Sequence, residues 1–233
     1  MIVGRGLLAS AFDAQAIETL EATLFASGVS NSSEIDPSAY AREQQLLEER
    51  LAAARGAFVY FSTCSIEDPD RGSGQYARHK VRMEQLVADR GGRYLILRLP
   101  QVVGRTGNPH NLINFLTDRM RSGEPIPMWS GAVRCLIDVE HVAAITMRLL
   151  QDGAPEQLRA SLAPPEVISM PALVDVMESI LGLHARREIV DRTGGTQPDA
   201  TLMMQVAPTL GIDVSPGYTR RLLEKYHRHD NAN

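Results

Sequence analysis

Tyr76 and Lys80 stand four residues apart in the run Tyr76-Ala77-Arg78-His79-Lys80. On a helix that spacing puts a phenol and an ammonium on one face. The ammonium favours phenolate, which makes the tyrosine a usable acid or base near neutral pH. Taken alone, the same spacing also describes a solvated helix face. Upstream, Phe61-Ser62-Thr63-Cys64-Ser65 gathers three hydroxyls at the end of an apolar run. They could hydrogen-bond a substrate oxygen beside the tyrosine, although each hydroxyl singly is ordinary loop polarity. Near the start, Gly4-Arg5-Gly6-Leu7-Leu8-Ala9 has the pattern GxGxxA. Glycines in such a turn allow close approach of a pyrophosphate, and a following helix offers free N–H groups. Many strand-to-helix turns carry two glycines with no ligand, so this motif too is weak by itself.

These groups need elements to bring them together. Ile2-Val3 is a short strand candidate, and Leu7 to Ala22 has apolar residues at helical spacing. Thr23 to Ala26 is a second strand, followed by a polar loop through Ser27-Gly28 and Asn31-Ser32-Ser33. Asp36-Pro37 is a cap and first-turn pair for a polar helix reaching about Arg55. Phe58 to Phe61 and Tyr94 to Leu97 are further strands, with a helix from about Gln75 to Asp89 stopped by Gly91-Gly92. Strand and helix alternate four times in the first hundred residues. That rhythm predicts a parallel sheet with helices on its faces and its ligand edge at the strand ends. Beyond Pro100 the expected elements are a helix at Asn111 to Ser122, extended segments at Pro125 to Trp129 and Cys135 to Val139, and a helix at Glu140 to Leu150. A helix at Met170 to Leu181, a strand at Arg187 to Val190 and helices near Asp199 and Ser215 to Tyr226 follow, with a frayed tail from Arg228.

Composition narrows the classes. Hydrophobic residues are 44% and charged residues 22%, ordinary globular usage, and the net charge is -4. A weakly acidic chain argues against general nucleic-acid binding. The apolar runs are too short to span a membrane, and the start lacks signal-peptide character. Two cysteines suit a reducing compartment and no structural metal cluster, so a cytoplasmic location is expected. His79, His110 and His141 lack metal-ligand spacing and read as surface or capping histidines.

In combination, the glycine turn, the hydroxyls at a strand end and YxxxK on the next helix resemble the extended short-chain dehydrogenase/reductase family of nucleotide-sugar epimerases, dehydratases and ketoreductases. The resemblance continues in Leu97-Arg98-Leu99-Pro100-Gln101-Val102-Val103-Gly104, in Asn111-Leu112-Ile113 and in Arg134 to Val142. It covers residues 56 to 150 well and the rest loosely. It implies Tyr76 as catalytic acid/base and Lys80 as holder of the nicotinamide ribose that also tunes Tyr76. Thr63 is the implied hydroxyl partner, with Ser65 and Ser62 behind it. Gly4, Arg5, Gly6, Leu7, Ser27, Ser62, Pro100 and Val103 would line the cofactor, and Asn111, Leu112 and Arg134 the substrate, Arg134 meeting its diphosphate. The cofactor would be NADP or NAD, the partner a nucleotide sugar, and the assembly a homodimer through the YxxxK helix.

The sequence departs from the family in three places. Only Thr23 to Ala26 lies between the glycine turn and the Ser62-Thr63 strand, so the family's second and third strands, and the acidic residue that binds the adenosine ribose, have no counterpart. Arg5 inside the turn is suited to a 2′-phosphate, which tilts the choice towards NADP. Cys64-Ser65 stands where the dehydratases place Asp-Glu, which argues against elimination. His141 stands where the family has an acidic residue. The expected fold is therefore α/β: a Rossmann-type parallel sheet of reduced strand number with flanking helices, and a small C-terminal substrate lobe. Residues 1–105 would form the core and 106–233 the mixed region, with 138–150 returning to the core. The expected activity is hydride transfer by a nucleotide-sugar reductase or epimerase. A non-catalytic nucleotide-sugar-binding or partner protein on the same fold is the alternative.

Overall fold

A computed structural model of the chain describes residues 1–69, 72–153 and 155–227. The expected frayed tail from Arg228 lies outside them. The central feature is a five-stranded parallel sheet in the order β1 (Ile2–Val3), β2 (Thr23–Phe25), β3 (Phe58–Thr63), β4 (Tyr94–Leu99) and β8 (Gln157–Ser161). Register is set by Ile2 opposite Leu24, Thr23 opposite Phe58, Phe58 opposite Tyr94 and Tyr94 opposite Gln157. All six residues of β3 are buried, as expected of a parallel strand covered on both faces.

Alternation along β3 sorts the two faces. Phe58 and Tyr60 pack under α3 (Pro37–Ala53) and α4 (Gln75–Asp89), with Leu47, Leu51, Met83 and Val87. Val59 and Phe61 face the opposite layer, which holds Phe12 from the turn between α1 (Leu7–Ser10) and α2 (Ala14–Thr19), Ile17 from α2, and Ile145 and Leu149 from α6 (Val139–Gln151). On α4, Met83 and Val87 are consumed in covering the sheet, and Val81 is exposed.

The helix expected from Leu7 to Ala22 is instead two short ones. Asp13 accepts a hydrogen bond from the Ala16 N–H and so starts a new helix where the first could have continued. The strand pairings also reach further than sequence suggested. β4 runs to Leu99, and β5 (Gln101–Val103) pairs with β7 (Leu136–Asp138). β6 (Ile126–Arg134) pairs in parallel with β10 (Arg187–Gly194) and antiparallel with β9 (Ile168–Ser169). α5 (Leu112–Ser122), α7 (Met170–Leu181) and α9 (Tyr218–His227) pack with β6 around a second core of Leu116, Met128, Leu173 and Leu223. α8 (Thr201–Val206) covers the first core through Met203.

Two features position the site. The carboxyl ends of β1 to β4 deliver Gly4-Gly6, Ala26-Gly28, Thr63-Ser65 and Leu99-Gln101 to one edge of the sheet. And β1 is an edge strand, paired among the described residues with β2 alone. No helix of the described residues is long and apolar enough to cross a membrane.

Candidate active site

The strand ends open into a cleft of about 450 Å³. One wall carries Arg5, Gly6 and Leu7; the floor carries Ser27, Gly28, Ser62, Thr63 and Ser65. Tyr76, Lys80, Pro100, Asn108, His110 and Asn111 also line the cleft. Residues separated by up to about a hundred positions in the chain thus share one solvent space.

Each position has a local cause. Gly4 has φ +128°, and a Cβ there would stand 2.4 Å from the Ala26 carbonyl oxygen. Only glycine lets the turn after β1 pass the end of β2 so closely. Gly4 is therefore a packing requirement behind the wall and does not line the cleft. Gly6 opens α1, and space is empty where its Cβ would project. Thr63 ends β3, and its hydroxyl accepts from the Ser65 N–H at 3.1 Å, so its own O–H proton remains for donation. Tyr76 and Lys80 lie on successive turns of α4, with the Lys80 ammonium 5.9 Å from the Tyr76 ring centre.

Several expected residues are placed differently from their simplest reading. Ser62 borders the cleft, but its hydroxyl donates to the buried Glu84 carboxylate at 2.6 Å. Val103 is buried in the second core, and Leu112 packs against the same core; neither lines the cleft. Asn111 lines it while also capping α5: it accepts from the Ile113 N–H and donates to the Val102 carbonyl. Arg134 borders a separate hollow of about 80 Å³. That hollow shares Thr63, Ser65, Leu99, Pro100 and Gln101 with the main cleft, so the two adjoin. Arg134 donates to the Val133 carbonyl at 2.7 Å. Cys64 and Cys135 are buried, and burial pushes both thiols up to about 12, away from nucleophilic chemistry.

Sequence reasoning missed Glu43, Tyr60 and His79. Glu43 lies 2.9 Å from Lys80, and His79, read as a surface or capping residue, is instead mostly buried 3.1 Å from Glu43. His110, also read as a surface residue, lines the cleft. A signal for Glu43 existed: it falls on the stripe Tyr40, Glu43, Leu47, Leu51 that α3 turns inwards, a carboxylate at a core position.

The profile of the NAD dependent epimerase/dehydratase family matches residues 8–160. The chain belongs to that family. Its fold is that of the extended short-chain dehydrogenase/reductases. No curated protein matches the chain by sequence. Among solved structures, the UDP-glucuronic acid 4-epimerase of Bacillus cereus, in complex with UDP-glucuronic acid and NAD, is similar at TM-score 0.69 and 15% identity, over 92% of this chain and 77% of that one. The UDP-glucose 4-epimerase of Brucella ovis in complex with NAD is similar at TM-score 0.69 and 19% identity, over 97% and 84%. WbmH of Bordetella bronchiseptica in complex with NAD+ is similar at TM-score 0.66 and 18% identity, over 99% and 83%. This family member thus keeps the overall fold of those proteins, with β1 at the edge of its sheet.

Proposed function

We propose that the chain is an NAD(P)-dependent nucleotide-sugar reductase or epimerase in which Tyr76 moves the proton at a sugar carbinol or keto centre. One observation carries the reading: Thr63, Tyr76 and Lys80 line a single cleft together with Arg5 and Gly6 of the glycine turn. The residues present fit a nicotinamide dinucleotide. Gly6 leaves open space at the cleft wall, and the cleft runs on past Ser27 to Ser30 into a further hollow of about 470 Å³. The cofactor supplies hydride transfer when bound. Arg5, Gly6, Leu7, Ser27 and Pro100 would hold it, and Arg5, exposed at the wall, suits the extra phosphate of NADP.

The chain's own residues do the rest. Tyr76 gives a proton to the sugar oxygen as a ketone is reduced, or takes one as a carbinol is oxidised. Thr63 holds that oxygen by a hydrogen bond, and Lys80 places a positive charge beside the Tyr76 ring. Arg134, in the adjoining hollow, would meet a substrate diphosphate. The nucleotide-sugar ligands of the similar epimerases support this substrate class. Cys64 and Ser65 offer no acid and base pair for elimination, which favours reduction or epimerisation. A homodimer is expected by resemblance, through two helices per subunit that include α4.

A second reading, a nucleotide-sugar-binding protein without turnover, is favoured by the edge position of β1, beside which the adenosine end has little cover. Titration with NADPH and NADH, followed by nicotinamide fluorescence, tests the choice. Micromolar binding of either supports the enzyme; a folded protein that binds neither up to millimolar concentration supports the second reading. Arg5→Ala is expected to weaken NADPH several-fold more than NADH, and an equal effect on both would discard the 2′-phosphate role.

A further inference from the structure

The wall of the cleft behind Lys80 contains a charge system that the hydride-transfer scheme does not use. Glu43, on α3, is 3% exposed, and so is Lys80 on α4. The Glu43 carboxylate is surrounded by donors from three other parts of the chain. Its Oε1 accepts from the Tyr60 hydroxyl at 2.8 Å and from Lys80 Nζ at 2.9 Å. Its Oε2 accepts from the Val29 N–H at 2.7 Å and lies 3.1 Å from His79 Nε2. Tyr60, at 3.2 Å from Lys80 Nζ, donates to the carboxylate and accepts from the ammonium, closing a triangle. A Cβ on Gly28 would stand 2.5 Å from Lys80 Nζ and 2.8 Å from Glu43 Oε1. The loop after β2 is thus packed directly on the ion pair, and a larger residue at position 28 would have to displace it.

A buried ammonium without a counter-charge gives up its proton rather than stay charged in a poorly solvated site. Among the described residues, Glu43 is the carboxylate within ion-pair distance of Lys80. Burial by itself would raise the Glu43 carboxyl; the Lys80 charge and the hydrogen bonds from His79, Lys80 and Val29 outweigh it and bring it down to about 2. The carboxylate is therefore a fixed negative charge throughout the working range of pH. The other groups facing Lys80 are Tyr60 from β3 and Tyr76 from its own helix; His79 sits on the far oxygen of Glu43. Glu84, one turn further along α4, is turned away to Ser62 and Arg98.

We propose that Glu43 is a positioning residue: it fixes Lys80 at the cleft wall and keeps it protonated, so that a Glu43–Lys80 pair, and not Lys80 alone, sets the charge that Tyr76 meets. The proposal rests on the roles given above to Tyr76 and Lys80. It also explains the buried Tyr60 hydroxyl, which that scheme leaves without a purpose.

The chain has two lysines, Lys80 and Lys225. Lysine labelled with ¹³C at Cε therefore gives two signals, and Lys225 serves as an internal control. The titration is run on the whole protein without cofactor or substrate. In Glu43→Gln the Lys80 midpoint is expected to fall by at least one pH unit, a tenfold loss of proton affinity, with Lys225 unmoved. Tyr60→Phe, which keeps the carboxylate, shifts it less. A Lys80 midpoint equal in the wild type and Glu43→Gln overturns the proposal. Should Glu43→Gln fail to fold, Glu43→Asp withdraws the carboxylate by one methylene, and an unmoved Lys80 midpoint there overturns it equally. Tyr76→Phe separates the two readings. If it keeps full turnover, the mechanism fails whatever Lys80 does; if turnover is lost but the Lys80 midpoint ignores Glu43, only the positioning role fails.

Discussion

Each of the two lysines rests on a buried carboxylate beside a tyrosine, yet the two sites are built for different ends. At the cleft, Lys80 meets Glu43 and Tyr60, and its side chain is 4% exposed. In the second core, Lys225 meets Asp138 at 2.7 Å, Tyr226 donates to the same carboxylate at 2.7 Å, and the lysine side chain is 40% exposed. Asp138 also caps α6 through the Glu140 N–H. Its own N–H donates to the Tyr218 hydroxyl, which bonds His141 in turn. The Asp138 group therefore straps α9 onto the start of α6, and its polar atoms are taken up in structure. The Glu43 group ends at a cleft wall, with its ammonium facing solvent space and Tyr76. The same three functional groups, an ammonium, a carboxylate and a phenol, make a clamp where all their partners are structural, and part of a reactive surface where one face is left to a ligand.

That contrast sets the expected outcomes. Tyr76→Phe should lower turnover by about 10³-fold while leaving the melting temperature and substrate binding nearly intact; steady-state kinetics with calorimetry would check both. Asp138→Ala should do the reverse, costing about 2 kcal/mol in urea unfolding by leaving the Tyr226 hydroxyl without its buried acceptor and removing the α6 cap, while Lys225 keeps Glu140 as its partner and the cleft geometry is retained. If Asp138→Ala silenced turnover at unchanged stability, the division between clamp and reactive surface would collapse. Arg134→Ala should weaken nucleotide-sugar binding by about 2 kcal/mol, read by isothermal calorimetry; unchanged affinity would move the diphosphate out of the adjoining hollow.

The smallest effect concerns pH. Burial lowers the His141 pKa, and the nearby Asp138 and Lys225 charges adjust it in opposite directions. The unfolded chain takes up this proton at the ordinary histidine pH and the folded chain only lower, so acid favours unfolding. Stability from this residue is present above pH 6.5 and declines below it. His141→Gln should flatten that part of a melting-temperature profile between pH 7.5 and 5.5; an unchanged slope would assign the acid sensitivity elsewhere.

What was legible in the sequence was what short range determines. Tyr76 and Lys80 sit on one helix, so their spacing alone put them on one face. Thr63 and the two glycines sit at strand ends, and strand ends in a parallel sheet converge. The Asp36-Pro37 start of α3 and the Met170 to Leu181 helix followed from local signals and caps. What was not legible depends on partners distant in sequence. Glu43 finds Lys80 across 37 positions and Asp138 finds Tyr226 across 88. A charged residue on a helix reads as solvated until the fold shows which face is inside. Val103 and Leu112 illustrate the converse: a motif neighbourhood placed them near ligands, and side-chain direction placed them in a core. The β8 strand was missed because its Gln157-Leu158-Arg159-Ala160-Ser161 sequence has little β-branched or aromatic character.

The short outer strand also bears on how the protein behaves in concentrated solution. A sheet margin with free N–H and C=O groups is a template on which other chains can stack. Here that margin is two residues long, Ile2 and Val3, and turns away at Gly4-Arg5 into a helix. So brief a ladder, ended by a bend and a charged side chain, offers an incoming strand too few hydrogen bonds to offset the entropy of ordering it. The fold can thus expose this edge without a strong tendency to self-associate through it.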